Sequence, residues 1–279
     1  MADEADDKGM KLEILGHACA RLTDRSGVLV VDPGTFSSPA ALATADAVLV
    51  THEHADHLDV GALLTALAER SHVEVWAPAA VVAALQARGV ELQRLHEAVP
   101  GTALTVLGHD VDVVGGTHAA IHADLPRIAN VGYVIDGAVL HPGDAFVDLP
   151  EGTRVHVALT PVSGPWLKLA EIVDWVRALQ PAVVVPIHDA LLSPIGRGSV
   201  LRQLGSEGLG AGWGWTVVDL ADDGASLDVD PDPAARAALV AHELEFEHPE
   251  FGDVPTLERD ENVAPRPEEE VADTDGRAD

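Results

Sequence analysis

The sequence predicts an α/β (α+β) chain folded as a four-layer αββα sandwich, two β-rich halves each covered by helices on its outer face. Short apolar runs bounded by turn residues recur along residues 11–220, the pattern of many short strands. Helical periodicity is interposed at intervals in both halves rather than gathered at one end, so helices are available to both sheets. No short-period repeat is visible.

Lys11 to Leu15 alternates and reads as a first strand, ending at Gly16-His17-Ala18-Cys19. Ala20 to Thr23 and Val28 to Val31 read as two further strands, with a hairpin turn over Asp24 to Gly27. The second runs into Asp32-Pro33-Gly34, which puts a carboxylate at a strand's C-terminal end, where α/β sites are built. Ala47 to Val50 is a buried strand, and Val60 to Arg70 a helix with Leu63, Leu64 and Leu67 on one face. Val73 to Trp76 is a strand. Pro78 to Arg88 is a helix, with proline at its start and Gly89 just past its end. Leu92 to Leu95, Ala103 to Leu107 and Val111 to Val114 are strands, and Val131 to Ile135 with Val139-Leu140 form a hairpin across Asp136-Gly137. Val155 to Leu159 is a strand, and Trp166 to Leu179 an amphipathic helix stopped by Pro181. Ala182 to Ile187 is a buried strand ending in His188, and Val217 to Leu220 is the last strand.

Between one predicted strand and the next helix lies Thr51-His52-Glu53-His54-Ala55-Asp56-His57-Leu58-Asp59, with four metal-ligand side chains in six residues. His52 and His54 are two apart, so in an extended segment both side chains leave on the same side. Asp56 and His57 fall where the chain turns toward the helix and face a second point. One loop thus offers two imidazoles to one metal and a carboxylate with an imidazole to another. Neutral imidazole with carboxylate suits zinc, and also iron or manganese. Further candidates share one context, the loop just after an apolar strand: His118, Asp144 and His188. His122 competes with His118 as the third ligand, or faces substrate, and His141 competes with Asp144. Asp32 either orients the His loop or caps a turn. His17 either points into the site as a substrate or proton-transfer group or caps the first turn.

Composition narrows the partners. The formal charge of -29 is uneven: residues 221–279 hold 19 acidic and 4 basic residues, and the first ten add a net -3. The middle is moderately acidic, with only three lysines in the whole chain, so a nucleic-acid backbone would be repelled. No run of about 18 apolar residues predicts a membrane span. A lone Cys19 permits no internal disulfide, and the acidic start is not a signal peptide, so a cytoplasmic protein is expected. Three segments follow: residues 1–10, acidic and disordered; 11–220, the folded domain; and 221–279, an acidic and largely disordered tail with one candidate helix over 234–247. Oligomeric state is not readable.

The motif series resembles the metallo-β-lactamase-fold hydrolases, whose pattern is an Asp after an early strand, H-x-H-x-D-H, a lone His, a lone Asp and a final His. Asp32, the loop from His52 to His57, His118, Asp144 and His188 match in that order over residues 11 to 220. Leu15-Gly16-His17-Ala18, followed by the strand to Asp32-Pro33, resembles the branch that includes the ascorbate-6-phosphate lactonase-like proteins. The resemblance implies a metallo-β-lactamase-type sandwich with two divalent ions, zinc foremost and manganese or iron as substitutes. His52, His54 and His118 would hold one ion, Asp56, His57 and His188 the other, with Asp144 bridging.

Two ions about 3.5–4 Å apart would bridge a water, lower its pKa toward about 7 and supply hydroxide to a carbonyl or phosphorus. Asp56 would orient that hydroxide as well as bind metal. A small-molecule substrate is expected: a lactone or other ester first, a phosphoester second, a β-lactam last. The alternatives on the same fold are a non-catalytic metal-binding protein and a di-iron redox protein.

Overall fold

Each half of the chain begins with an antiparallel meander and continues into parallel strands joined by helices. The computed structural model describes residues 9–149, 154–221 and 224–230. In the first half, β1 (Met10–Ile14), β2 (Ala20–Asp24) and β3 (Gly27–Val31) pair antiparallel, and β4 (Ala47–Leu49), β5 (Glu74–Ala77) and β6 (Leu95–Glu97) add on in parallel. Helices α1 (Val60–Glu69) and α2 (Ala79–Gln86) make the crossovers.

In the second half, β7 (Ala103–Val106), β8 (His109–Gly115), β9 (Val131–Ile135) and β10 (Val139–His141) form the meander. Parallel β11 (Val157–Pro161), β12 (Val183–Ile187) and β13 (Thr216–Val217) follow, with α3 (Leu169–Leu179) and α4 (Pro194–Leu204) between them. Strand β14 (Leu227–Val229) returns to pair antiparallel with β1. The sheet orders are β14-β1-β2-β3-β4-β5-β6 and β13-β12-β11-β10-β9-β8-β7.

Burial follows from this plan. Strands β4 and β11 are buried at every position, because a parallel strand between a helix layer and the other sheet has no solvent face. The central cluster joins Leu12, Leu22 and Leu29 of the first sheet to Tyr133, Ile135 and Leu159 of the second. A second cluster seats Leu63, Leu67, Val81 and Leu85 of α1 and α2 on the first sheet. A third seats Ile172, Val173 and Val176 of α3 and Leu204 of α4 on the second. The four expected layers, helix–sheet–sheet–helix, are these.

Several elements differ from expectation. Helix α3 starts at Leu169, not Trp166: the Glu171 carboxylate accepts the Lys168 backbone N–H (3.3 Å), closing the first turn there. Helix α4 was not anticipated, because Gly196 and Gly198 dilute its pattern. Pro194 at the first turn and the Ser193 hydroxyl, which accepts the Gly196 N–H, start it. Leu92–Arg94 is a 3₁₀ turn, and the strand begins at Leu95. Strand β14 lies beyond the boundary drawn at 220: three alternating residues in an acidic stretch carry too little pattern to read. Residues 1–8, 231–279 and the candidate helix over 234–247 lie outside the described residues. No helix of the described residues is long and apolar enough to cross a membrane.

Candidate metal centre

Loops from six strand ends, those of β1, β3, β4, β8, β10 and β12, converge at one edge of the sandwich. After β3, Asp32-Pro33-Gly34 runs against the His loop so closely that a Cβ at Gly34 would lie 1.7 Å from the Asp56 carbonyl oxygen, so the position demands glycine. The His loop itself is a turn, with the His57 and Leu58 N–H groups donating to the His54 carbonyl (3.0 and 2.9 Å). Asp59 then caps α1 by accepting the Ala62 N–H (2.9 Å). The chain is thereby forced to present His52 and His54 on one side and Asp56 and His57 on another.

Two groups of ligand atoms result, each within 4.8 Å of one another: His52, His54, His118 and Asp144 in one; His17, Asp56, His57 and His188 in the other. Asp144 stands between them. Its Oδ1 lies 3.0 Å from His57 Nε2 and 3.2 Å from His188 Nε2, while Oδ2 lies 3.4 Å from His118 Nε2. The sequence-derived ligands are therefore all brought together, with His17 added.

Outer hydrogen bonds fix which ring nitrogen each histidine offers. His118 Nδ1–H donates to the Ala119 carbonyl (2.7 Å) and His188 Nδ1–H to the Ser163 carbonyl (2.5 Å). His57 Nδ1–H donates to Asp32 (2.6 Å). The Thr51 hydroxyl donates to Asp32 (2.7 Å), so its lone pair receives His52 Nδ1–H (3.0 Å). All four rings thus turn Nε2 inward, and Asp32, which also accepts the Thr51 N–H (2.7 Å), anchors the loop. Those bonds tie Asp32 to both ends of the His loop.

His52 Nε2 lies 3.1 Å from His54 Nδ1, but the other inward atoms make no hydrogen bond. His57 Nε2, His118 Nε2, His188 Nε2 and Asp144 Oδ1 are buried and make no hydrogen bond. His57 Nε2 and Asp144 Oδ1 are near but not aligned as donor and acceptor. Buried polar atoms are rarely left so, and three nitrogens and a carboxylate oxygen aimed at common points fit divalent cations with this donor set.

Charge is distributed accordingly. Burial alone would lift the Asp144 carboxyl, but His57, His118 and His188 hold it far below the usual carboxylate range, and Asp56 is depressed likewise by His17 and His188. Burial opposes charge on His57 and His188, yet the neighbouring carboxylates outweigh it and lift them to about 10 and about 9. Ion binding at these rings must therefore release protons. Burial lowers His17, His52 and His54.

His17 Nδ1 accepts the Ala190 N–H (3.3 Å), which leaves the ring proton on Nε2, 3.2 Å from Asp56 Oδ2. It points into the site. His17, Asp32 and His188 all hold left-handed backbone (φ 51°, 52° and 60°), a conformation costing side-chain-bearing residues about 1 kcal/mol or more. The His188 N–H donates to the His17 carbonyl (2.9 Å), so two of these strained residues hold each other.

His122 sits exposed beside Asp124, outside both groups. His141 turns away, donating Nε2–H to the Ala18 carbonyl (2.7 Å) while its Nδ1 accepts the Gly143 N–H. Cys19 is buried, which pushes its thiol up to about 12 and excludes a nucleophile. Sequence reasoning missed Thr51, Asn130, whose Oδ1 accepts the Asp144 N–H (2.9 Å), and Trp166, whose Nε1–H donates to Asp144 Oδ2 (3.1 Å). Thr51 adjoins the motif and was findable; no pattern marks the other two.

Residues 11–188 match the sequence family described as the beta-lactamase superfamily domain. The chain is similar to protein Rv0786c of Mycobacterium tuberculosis, 37% identical over 201 residues that span 70% of this chain and 91% of that one. It is 27% identical to a UPF0173 metal-dependent hydrolase of Thermoplasma acidophilum, over 65% of this chain and 84% of that one. Among solved structures, the metallo hydrolase Igni18 of Ignicoccus hospitalis superposes with a TM-score of 0.62 at 21% identity, covering 80% of this chain and 99% of that one. At that identity the likeness shows the fold alone.

Proposed function

The chain belongs to the beta-lactamase superfamily, and from that membership we propose that it is a metal-dependent hydrolase acting on a small neutral ester or lactone at a two-ion centre. The observation that carries this is the set of four buried atoms, within the two ligand groups, that make no hydrogen bond. The name of the Thermoplasma relative, a metal-dependent hydrolase, supports the reaction class. Bound there, two divalent ions would supply hydroxide near neutral pH and a place for negative charge on an attacked carbonyl oxygen.

The chain's own residues set the geometry. His52, His54 and His118 would hold one ion, Asp56, His57 and His188 the second, and Asp144 would serve both. Asp56, gripped by His17 Nε2–H, keeps one orientation in which to direct the attacking oxygen. Leu15-Gly16-His17-Ala18 would thus contribute to the site through His17.

Neutral rather than phosphorylated substrates are favoured by what surrounds the ligands. Five of the eight exposed large apolar side chains among the described residues are Phe36, Ile121, Leu125, Leu191 and Ile195. All lie on segments that leave the site from Asp32, His118 or His188, and the Phe36 ring packs edge-on against His17 at 5.3 Å. Two of the cations on those segments, Arg127 and Arg197, are already engaged. Arg127 donates twice to the His118 carbonyl (2.9 and 2.8 Å), and Arg197 is clamped by Asp189 and Asp219 at 2.6 Å. A phosphate would find neither of these two guanidiniums free.

Metal content of protein purified without chelator, measured beside hydrolysis of lactones, phosphodiesters and nitrocefin, tests the proposal. About two equivalents of zinc or manganese with turnover of a lactone or ester is expected. Two irons without hydrolysis would replace it with a redox protein. No metal, and no activity after metal is restored, would leave a binding protein.

A further inference from the structure

The loop between β11 and α3 carries no metal-ligating side chain, yet it reaches two of the candidate ligands. The Ser163 carbonyl receives His188 Nδ1–H, and three residues on, Trp166 Nε1–H donates to Asp144 Oδ2 at 3.1 Å. The indole is buried, packed on Phe146 at 5.4 Å, and stands edge-on to His118 and His188 at 6.3 and 6.4 Å. Gly164 makes room for it: a Cβ there would fall 2.8 Å from Trp166 Nε1.

An indole N–H donates and accepts nothing. It therefore cannot bind an ion itself, and its hydrogen bond holds one oxygen of Asp144. That oxygen faces His118, whereas the other, Oδ1, is buried between His57 and His188 without a hydrogen bond. The two halves of the shared carboxylate are thus unequal, and the inequality is set from outside the ligand set.

We propose that Trp166 is a positioning residue for the two-ion centre: its N–H locks the rotation of the Asp144 carboxylate, so that one oxygen serves each cluster. This rests on the reading of Asp144 as the shared ligand. Outer-shell partners of ligands typically govern metal affinity by about 10–100-fold, and Trp166 falls in that class.

The test is a zinc titration of metal-free protein, followed by tryptophan emission and by competition with a chelating dye. Wild type should change emission as zinc binds, because ions would draw on the carboxylate to which the indole is bonded. Trp166→Phe keeps an aromatic ring on Phe146 but removes the donor. It should abolish that emission change and weaken zinc binding about 10-fold. Trp175→Phe is the control: its ring packs on the same Phe146 (5.2 Å), but its N–H donates to the Val147 carbonyl (3.0 Å) rather than to a candidate ligand. It should keep both the emission change and the affinity, and metal-free melting curves of the two variants gauge folding. Wild-type zinc affinity in Trp166→Phe, or equal loss in Trp175→Phe, would overturn the assignment of Trp166 alone. No zinc uptake by wild type would overturn the two-ion reading, and this assignment with it.

Discussion

The two halves of the sandwich share one plan and divide the chemistry unequally. In each, a meander ends in a strand followed by a Pro-Gly step, Asp32-Pro33-Gly34 after β3 and His141-Pro142-Gly143 after β10. Both glycines are pressed against a neighbour: a Cβ at Gly143 would lie 2.3 Å from Asn130 Oδ1, as one at Gly34 would strike Asp56. The loops that follow the next strands differ. The β4–α1 loop presents His52, His54, Asp56 and His57 within six residues. Its counterpart, the β11–α3 loop, presents none, and instead supports Asp144 and His188 through Trp166 and Ser163. The second half delivers its ligands singly, after β8, β10 and β12. One half supplies a concentrated set and the other completes and steadies it.

Removing a ligand from the concentrated half should have the largest effect. His54→Ala or Asp56→Ala should cost at least about 10³-fold in turnover with the fold intact by circular dichroism, since metal assistance is worth several kcal/mol. Wild-type turnover in either variant would show that the first half's loop is not the centre. Stripping both ions should come next: an ion present at about 100 times its dissociation constant stabilises by about 2.7 kcal/mol. Chelation should therefore lower the melting temperature of wild type and leave that of Asp144→Ala nearly unmoved.

The paired positions after β3 and β10 sharpen the contrast further. Asp32 accepts three hydrogen bonds that hold His57 and Thr51, so Asp32→Asn should weaken ion binding about 10–100-fold. His141 serves the Ala18 carbonyl, so His141→Asn should cost about 1–3 kcal/mol of stability and leave ion affinity within about 3-fold. Equal effects on ion affinity would erase the division of labour. The smallest change should come from His122→Ala, with turnover within about 2-fold, because that ring is exposed and apart from both clusters.

At the opposite edge the halves are joined by a different histidine. His109 at the start of β8 donates Nδ1–H to Asp136 (2.7 Å) and reaches Ser26 Oγ (3.2 Å) and Asp24 (3.6 Å) of the β2–β3 turn. Ser26, His109 and Asp136 have the connectivity of a nucleophile–base–acid relay. Here the Ser26 hydroxyl donates to Asp24 (2.5 Å), so its oxygen accepts from His109 rather than giving a proton to it, and the trio is a clasp built on that imidazole. The hydrogen bond to Asp136 outweighs burial and raises its pKa. A raised folded-state value contributes stability in full below about 6.5, the ordinary imidazole value, and loses it as pH rises through the folded value. Metal-free wild type should thus exceed His109→Gln in melting temperature under acidic conditions, and the gap should close on alkalinisation. A gap that persists would mean that neutral contacts hold the two turns together.

The sequence makes the concentrated half legible because contiguous ligands on a strand-to-helix turn form a motif, and each single ligand after an apolar strand inherits its position from the fold. The four layers were readable for the same reason: buried parallel strands and helical faces leave distinct periodicities. What stayed hidden acts through groups with no signature. The Ser163 carbonyl and Ala190 N–H belong to the backbone, and Trp166 sat within an amphipathic pattern that matched a helix it does not join. His17 was ambiguous because its role depends on which neighbour, 173 residues away, supplies a donor to Nδ1. Strand β14 was missed because its residues acquire meaning only beside β1.

That last pairing bears on how the protein is made. Met10 faces Val229 and Leu12 faces Leu227 across one ladder, so the edge of the first sheet stays open until more than two hundred further residues have been synthesised. At roughly 5–20 residues per second, β1 waits about ten to forty seconds on the ribosome with the N–H and C=O groups of its outer edge unclaimed, while β2 takes the other side. Over that interval the outer edge of β1 is open to pairing with another chain.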